Sequence, residues 1–314
     1  MIKPLILAAA IVPALAMLGY GIAKARGTWK CEAIWSAYVL GALSAVAAAV
    51  GEVGLGYFIP LGHVGSTAAA AACAIAVAVT EESVKFLVLI NLAEKHVDVR
   101  RLQSVLVVAL AVSLGFATLE NLGYVIAKDN WKIIAAMRAI TSVPGHGLDG
   151  LAMGALLIAA RLSGDTGIWR RRNALVIPIL LHAAYDFPLL ARHGGPILFG
   201  VTWLVTLALS SVLVIALCNL IIPLAVEFDR ASGRDGESVE TSDRLIAGGV
   251  ISLVGGPLLA LSVAFASGLD SIAAAIGLGV IPFVLGIDAI RTGIWRRKPL
   301  LAMTENGLLT AGKS

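Results

Sequence analysis

Ionisable side chains stand at several points where the chain is otherwise apolar. In "EESVK", residues 81–85, Glu81, Glu82 and Lys85 interrupt an apolar run that begins at Ser66 and resumes at Phe86. Glu120, with Asn121 beside it, lies in a second apolar run. His146 and Asp149 begin a third, and His182 and Asp186 lie in a fourth. Each such group costs about 2.5–3.5 kcal/mol to insert into a bilayer, so its presence points to function. On a helix, residues three and four apart share a face. Lys85 therefore reaches both Glu81 and Glu82, offsetting one carboxylate and leaving the other for general acid–base work. His182 and Asp186 are four apart, so the carboxylate can orient the imidazole. Phe116 and Glu120 repeat that step. His146, Gly150 and Gly154 form a stripe on which another helix can approach closely. Two histidines and three glutamates drawn from four helices suffice for an N/O metal site or for activation of a water.

These residues need helices to position them, and the composition says in what medium. The chain has 314 residues, of which 59% are hydrophobic and 14% charged. A soluble domain carries about 25% charged residues, so the expected class is an all-α, polytopic transmembrane bundle. The net charge of +4 is modest, and the basic residues sit in short clusters between apolar runs. That pattern argues for membrane orientation and against a nucleic-acid partner. The cysteines, Cys31, Cys73 and Cys218, have no paired spacing and read as small apolar fillers.

A crossing helix takes about 20 apolar residues. Nine runs qualify, near 4–23, 34–58, 66–92, 103–127, 145–161, 174–192, 197–224, 245–266 and 271–290. The fifth is short and begins at "PGHG", which suggests an irregular or re-entrant outer end. Basic clusters follow every second span: Lys24, Arg26 and Lys30; Lys95, Arg100 and Arg101; Arg161, Arg170, Arg171 and Arg172; Arg230, Arg234 and Arg244; Arg291, Arg296, Arg297 and Lys298. Those loops are expected in the cytoplasm, with the N-terminus outside and the C-terminus inside. Lys128, Lys132 and Arg138, in the segment 128–144, are an exception. The first span also has the look of a signal peptide with a small-x-small end. Its removal would invert every later loop, so a retained helix is expected.

The domain reading follows. Residues 1–33 are a first membrane helix and basic loop, and 34–224 a catalytic membrane core. Residues 225–244 are a polar cytoplasmic linker, and 245–314 a two-span extension and tail. Glu52, without an obvious partner in span two, and His63, His96 and His193, in or beside loops, are assigned packing or solvated roles.

"EESVK" (81–85), "FATLEN" (116–121), "HGLDG" (146–150) and "HAAYD" (182–186) occur in this order on consecutive spans. They resemble the motifs of the PrsW-type intramembrane proteases, E-E-x-x-K, F-x-x-x-E-N, H-x-x-x-G and H-x-x-[WY]-D. More distantly, the double-Glu helix and the later His helices are similar to the CAAX-prenyl-protease and bacteriocin-processing superfamily. The resemblance covers about residues 35–195. It implies a polytopic protein that cleaves membrane-anchored peptides, an anti-sigma factor being the best-known substrate. It carries Glu81, Glu82, His146 and His182 over as catalytic or metal-binding candidates. Asp149 departs from the usual apolar residue in the third motif, and Tyr185 is a tolerated aromatic variant.

The expected mechanism is hydrolysis of a peptide bond by an activated water. Either Glu81 or Glu82 takes the proton, and His182, oriented by Asp186, ligates a metal or stabilises the oxyanion. His146 and Glu120 complete the site, Asn121 supplies a hydrogen bond, Lys85 sets the charge, and Phe116 and Gly150 support the helices. The metal ligands are then Glu82, His146, His182 and Glu120, a set that suits zinc; a metal-free site remains open. The expected partners are a membrane-anchored protein or peptide and the lipid bilayer, with the oligomeric state open. A proton- or ion-coupled transporter and a non-catalytic scaffold are the alternatives. A transporter is disfavoured by the lack of a repeat between the polar and the apolar spans.

Overall fold

The computed structural model describes residues 4–24, 31–57, 67–95, 102–162, 171–191 and 195–231. They form eight helices: α1 (Pro4–Lys24), α2 (Cys31–Gly56), α3 (Thr67–Lys95), α4 (Leu102–Ile126), α5 (Trp131–Ile140), α6 (Ser142–Leu162), α7 (Asn173–Ala191) and α8 (Gly195–Ala231). No strand occurs among the described residues. The eighth and ninth predicted spans, and His63, His96 and His193, lie outside them. The chain divides into two compact units. Residues 1–18 and 29–235 make up the one that holds the helix bundle. The other, 19–28 and 236–314, lies almost entirely outside the described residues.

In an apolar medium the backbone must satisfy its own polar groups, so long apolar runs become helices. Five stretches among the described residues are long and apolar enough to cross a membrane: 32–56, 102–126, 131–162, 173–191 and 205–229. The 29-residue α3 has the length, but Glu81, Glu82 and Lys85 break its apolar run. This is a multi-pass membrane protein.

The helices follow a pattern opposite to that of a soluble bundle. On α2 the large residues Val39, Leu43, Val50 and Val53 face outward. The inner face is Gly41, Ser44, Ala45 and Ala48. Hydrophobicity cannot sort helices when the solvent is acyl chains, so close packing of small residues does it. A Cβ at Gly41 would collide with the Val112 carbonyl, and one at Gly115 with the Tyr38 carbonyl. The two glycines thus let α2 and α4 cross backbone to backbone. A clasp sits beside this crossing: Tyr38 Oη–H donates to Thr118 Oγ1 (2.6 Å), whose own hydrogen goes to the Leu114 carbonyl (2.8 Å).

α4 is the central element, and every residue from Ser104 to Ala117 is buried. α2 packs on α4, α4 on α6, α6 on α7, α7 on α3 and α3 on α2, so five helices close a ring. α8 lies against α6, α7 and α4. α1 joins at Ala10, which packs with Val125 and Ala135.

Two regions differ from the sequence-based expectation. The segment 128–144 contains the helix α5, and α5 and α6 are two parts of one path kinked at Thr141 (φ −127°, ψ −62°). Pro144 explains the break: it has no N–H for the Ile140 carbonyl, and its ring crowds that turn. Hydrogen bonds resume on both sides, from Thr141 N–H to Met137 O (3.1 Å) and from Gly145 N–H to Thr141 O (2.9 Å). At the far end α8 continues to Ala231, past the start of the expected linker. Asp229, completely buried, accepts from the Leu102 and Gln103 N–H groups (3.0 and 3.3 Å). These are unpaired donors in the first turn of α4, so the carboxylate caps it.

Replacing Gly115 by Val should destabilise the bundle by about 3 kcal/mol, the upper range for overpacking. Gly123, where an added Cβ meets nothing within 4 Å, should tolerate the same change. Thermal unfolding of the detergent-solubilised variants checks the contrast.

Candidate functional site

The ring of helices encloses the polar residues. Glu82 and Lys85 are completely buried, and Glu81, His146, Asp149 and His182 are each 5% exposed. They meet because the small residues of α6 let it press against α4. A Cβ on Gly150 would lie 2.6 Å from Ser113 Oγ and 2.8 Å from the Ala109 carbonyl, so only glycine fits. His146, one turn earlier, is thereby brought against the Phe116 ring, centroid to centroid 5.5 Å. Gly154 and Gly147 are likewise filled by Ala109 and Met17, whereas Gly123 and Gly145 line the cavity.

Glu82 is the hub. Its Oε1 accepts from Lys85 Nζ (2.7 Å) and from His182 Nδ1–H (2.7 Å), joining α3 to α7. Its other oxygen, Oε2, is buried without a hydrogen-bond partner. Lys85 also donates to His146 Nδ1 (3.0 Å) and, more weakly, to Glu81 Oε2 (3.5 Å). The ammonium sits 4.1 Å from the Phe116 ring centroid, a cation–π contact. A lysine has only donors, so His146 Nδ1 must be the acceptor. The second nitrogen, Nε2, then carries the hydrogen and gives it to Glu120 Oε2 (2.7 Å). His182 Nε2 faces Asp186 Oδ2 (3.4 Å) and Glu81 Oε2 (3.8 Å). Asp149 stands 3.9 Å from His182 Nδ1.

A cavity of about 870 Å³ opens onto this cluster. Glu81, His146, His182, Glu120 and Asp186 line it, together with apolar side chains of α2, α4 and α7; Glu82 does not. The two adjacent carboxylates are therefore inequivalent: Glu81 faces the cavity and Glu82 lies behind it.

Which residues could hold a metal follows from the donor atoms. Glu81, Glu82, His146 and His182 each offer one ligand atom, and these lie within 4.8 Å of one another. Two carboxylates and two imidazoles are a hard-to-borderline set that suits a divalent ion. The orphaned Glu82 Oε2 is an anionic oxygen of the kind a cation would satisfy. The residues present fit a metal. Glu120, expected as a ligand, stands outside this group of four: His146 and Arg138 hold its Oε2.

Two contributors were not foreseen. Arg138, taken on sequence for an exceptional loop charge, reaches inward from α5. Its Nη2 lies 2.6 Å from Glu120 Oε2 and 2.7 Å from Ser142 Oγ, and its Nε donates to Asn121 Oδ1 (2.5 Å). Asn121 thus presents its carbonyl to the arginine. The guanidinium also stacks 4.1 Å from the Tyr124 ring centroid. The other is Glu52, assigned to a packing role. It lines the cavity, as Glu81 does. The neighbouring Gly51 makes this possible, because a Cβ there would lie 2.9 Å from Thr80 Cγ2. No i+3 or i+4 partner exists on α2, so no sequence pattern flagged Glu52. Arg138 was legible only as a basic residue out of place.

An all-helical, multi-pass membrane bundle whose interior gathers a Glu/His cluster able to hold a metal is the class that fold and site define. The chain belongs to the PrsW family of intramembrane metalloproteases, whose family model matches residues 29–217. It is similar to the Protease PrsW of Bacillus subtilis (strain 168), with 39% identity over 35% of this chain and 50% of the relative. The Protease PrsW of Clostridioides difficile (strain 630) is 31% identical over 40% of this chain and 55% of that protein. For the Oceanobacillus iheyensis Protease PrsW the figures are 30%, 58% and 81%. The chain spans about half the length of the first two relatives and more of the third. No solved structure matches it.

The Arg138–Glu120 pair is mostly buried, with 16% and 20% of the side chains exposed. Arg138→Met should cost about 3 kcal/mol, because it strands a buried carboxylate. In a Glu120→Gln background the same change should cost at least about 1 kcal/mol less. A double-mutant cycle on chemical unfolding in detergent measures the difference.

Proposed function

We propose that this protein is an intramembrane peptidase that hydrolyses a peptide bond of a membrane-anchored protein. One observation carries the reading: Glu81, His146 and His182, from three helices, face one cavity inside the bundle, backed by the buried Glu82. A peptidase needs a base for water, a positive or donor group for the developing oxyanion, and a space that admits both water and substrate.

Glu81 serves as the base, since it is the carboxylate of the pair that meets the cavity. His182 is held by Glu82 through Nδ1 and faced by Asp186 at Nε2, which fixes the plane of its ring. Glu120 holds His146 in one tautomer through Nε2, and Arg138 in turn holds Glu120. Lys85 offsets the Glu82 charge. Glu82, His146 and His182 would hold a zinc ion, leaving Glu81 as the base; when bound, the ion would act as a Lewis acid and lower the pKa of a water. The substrate helix must unwind before cleavage, because a helix shields its own carbonyls. The apolar cavity walls suit an extended segment with apolar side chains.

The full membrane arrangement is part of this proposal. Nine spans, an outside N-terminus and a cytoplasmic C-terminus follow from the alternation of basic loops. Reporter fusions after residue 98 and after residue 166 should score as cytoplasmic, and a fusion after residue 194 as external. The reverse pattern would invert the proposed topology.

In proteoliposomes with a single-span reporter peptide, Glu81→Gln and His182→Ala should each lower cleavage by about 10²–10⁴-fold while the protein remains folded. A chelator should abolish the wild-type activity and added zinc should restore it. Undiminished cleavage by both variants would dispose of the reading.

A further inference from the structure

Three of the four residues able to hold a metal already share one cation. Lys85 Nζ lies 2.7 Å from Glu82 Oε1, 3.0 Å from His146 Nδ1 and 3.5 Å from Glu81 Oε2. The Phe116 ring covers it at 4.1 Å, and no part of the side chain is exposed. The ammonium therefore stands among the atoms a divalent ion would take.

The histidine makes the two occupants exclusive. His146 Nε2 gives its hydrogen to Glu120 Oε2 at 2.7 Å, and Arg138 pins that carboxylate from the other side. Nδ1 is thus the only ring nitrogen with a lone pair to offer, and it accepts from Lys85. One lone pair serves an N–H donor or a metal, never both at once. A divalent ion held by that nitrogen would need the lone pair to which the ammonium now donates. Charge points the same way, since a divalent ion and an ammonium a few ångströms apart in a low-dielectric interior repel strongly.

We propose that Lys85 is a built-in competitor for the metal. Its ammonium is the resting counter-ion of the Glu81/Glu82 pair, and a divalent ion enters by displacing it from His146 and Glu82. The inference rests on the reading that this cluster holds a metal. It adds that the chain's own cation offsets part of the cluster's charge, and that Lys85 sets the affinity for the ion. A purely structural lysine would support the ligands, and its loss would weaken metal binding. A competitor does the reverse.

The test is titration of the full-length protein in detergent with zinc, followed by calorimetry and by the shift of the thermal midpoint. Lys85→Met should bind zinc tighter than wild type, by on the order of tenfold, the usual size of coupling between two ligands. Its metal-free form should melt lower than wild type, because a buried carboxylate pair loses its counter-ion. Added zinc should then raise its midpoint by more than it raises that of wild type. Lys85→Gln, which keeps a donor and removes the charge, carries the same test should the Met variant not fold. Equal or weaker zinc binding by the folded variant overturns the inference and leaves the metal reading standing. If neither wild type nor variant binds zinc, both fall.

Discussion

The carboxylate of Glu82 is the constraint on which the rest of the structure depends. It is completely buried, and one of its oxygens is shared by an ammonium and an imidazole from another helix. A carboxylate in such a place is tolerable only if paired and hydrogen-bonded, because removing it from water costs several kcal/mol. The partners must therefore come to it. Lys85 comes along α3 itself; His182 comes on α7. Lys85 then draws in His146 of α6, His146 draws in Glu120 of α4, and Glu120 draws in Arg138 of α5. One buried charge thus propagates a chain of polar contacts through five helices.

That chain requires close helices, and in a membrane closeness comes from small side chains. The α2–α4 crossing depends on Gly41 and Gly115, and the α4–α6 contact on Gly150 and Gly154. The α2–α3 approach at Gly51 carries Glu52 to the cavity. Glycines are thus the means by which charged residues on separate helices come within bonding distance. Large side chains are left to face outward, as Val39 and Leu43 do on α2. The result is a largely apolar cavity with a cluster of polar side chains at its wall.

The inequivalence of Glu81 and Glu82 shows how the fold divides labour between like residues. Adjacent positions on a helix point about 100° apart, so one carboxylate can face the cavity while the other is walled in. The walled-in group makes the short contacts to Lys85 and His182, both at 2.7 Å; the cavity-facing group makes only longer ones to the same two residues, at 3.5 and 3.8 Å. Membership of the PrsW family agrees with an interior Glu/His cluster able to hold a metal.

Much of this was legible along the chain. The first seven predicted spans coincide with helices, apart from edges and the helix α5. The pairs Glu82–Lys85 and His182–Asp186 follow from helical periodicity alone. The convergence of Glu82, His146 and His182 was expected, but which side chains bond across the helices could not be read. Glu52 and Arg138 looked bland or misplaced, and Glu120 looked like a ligand, because their partners lie on other helices. The sequence by itself determined the helices and every pair three or four residues apart, since these depend only on local geometry. Only the tertiary structure decided that Lys85 meets His146 and that Arg138 holds Glu120. It also decided that Glu81, not Glu82, faces the cavity. Those contacts depend on how each helix is rotated and how closely it crosses its neighbour. Packing of small residues across the whole bundle sets both.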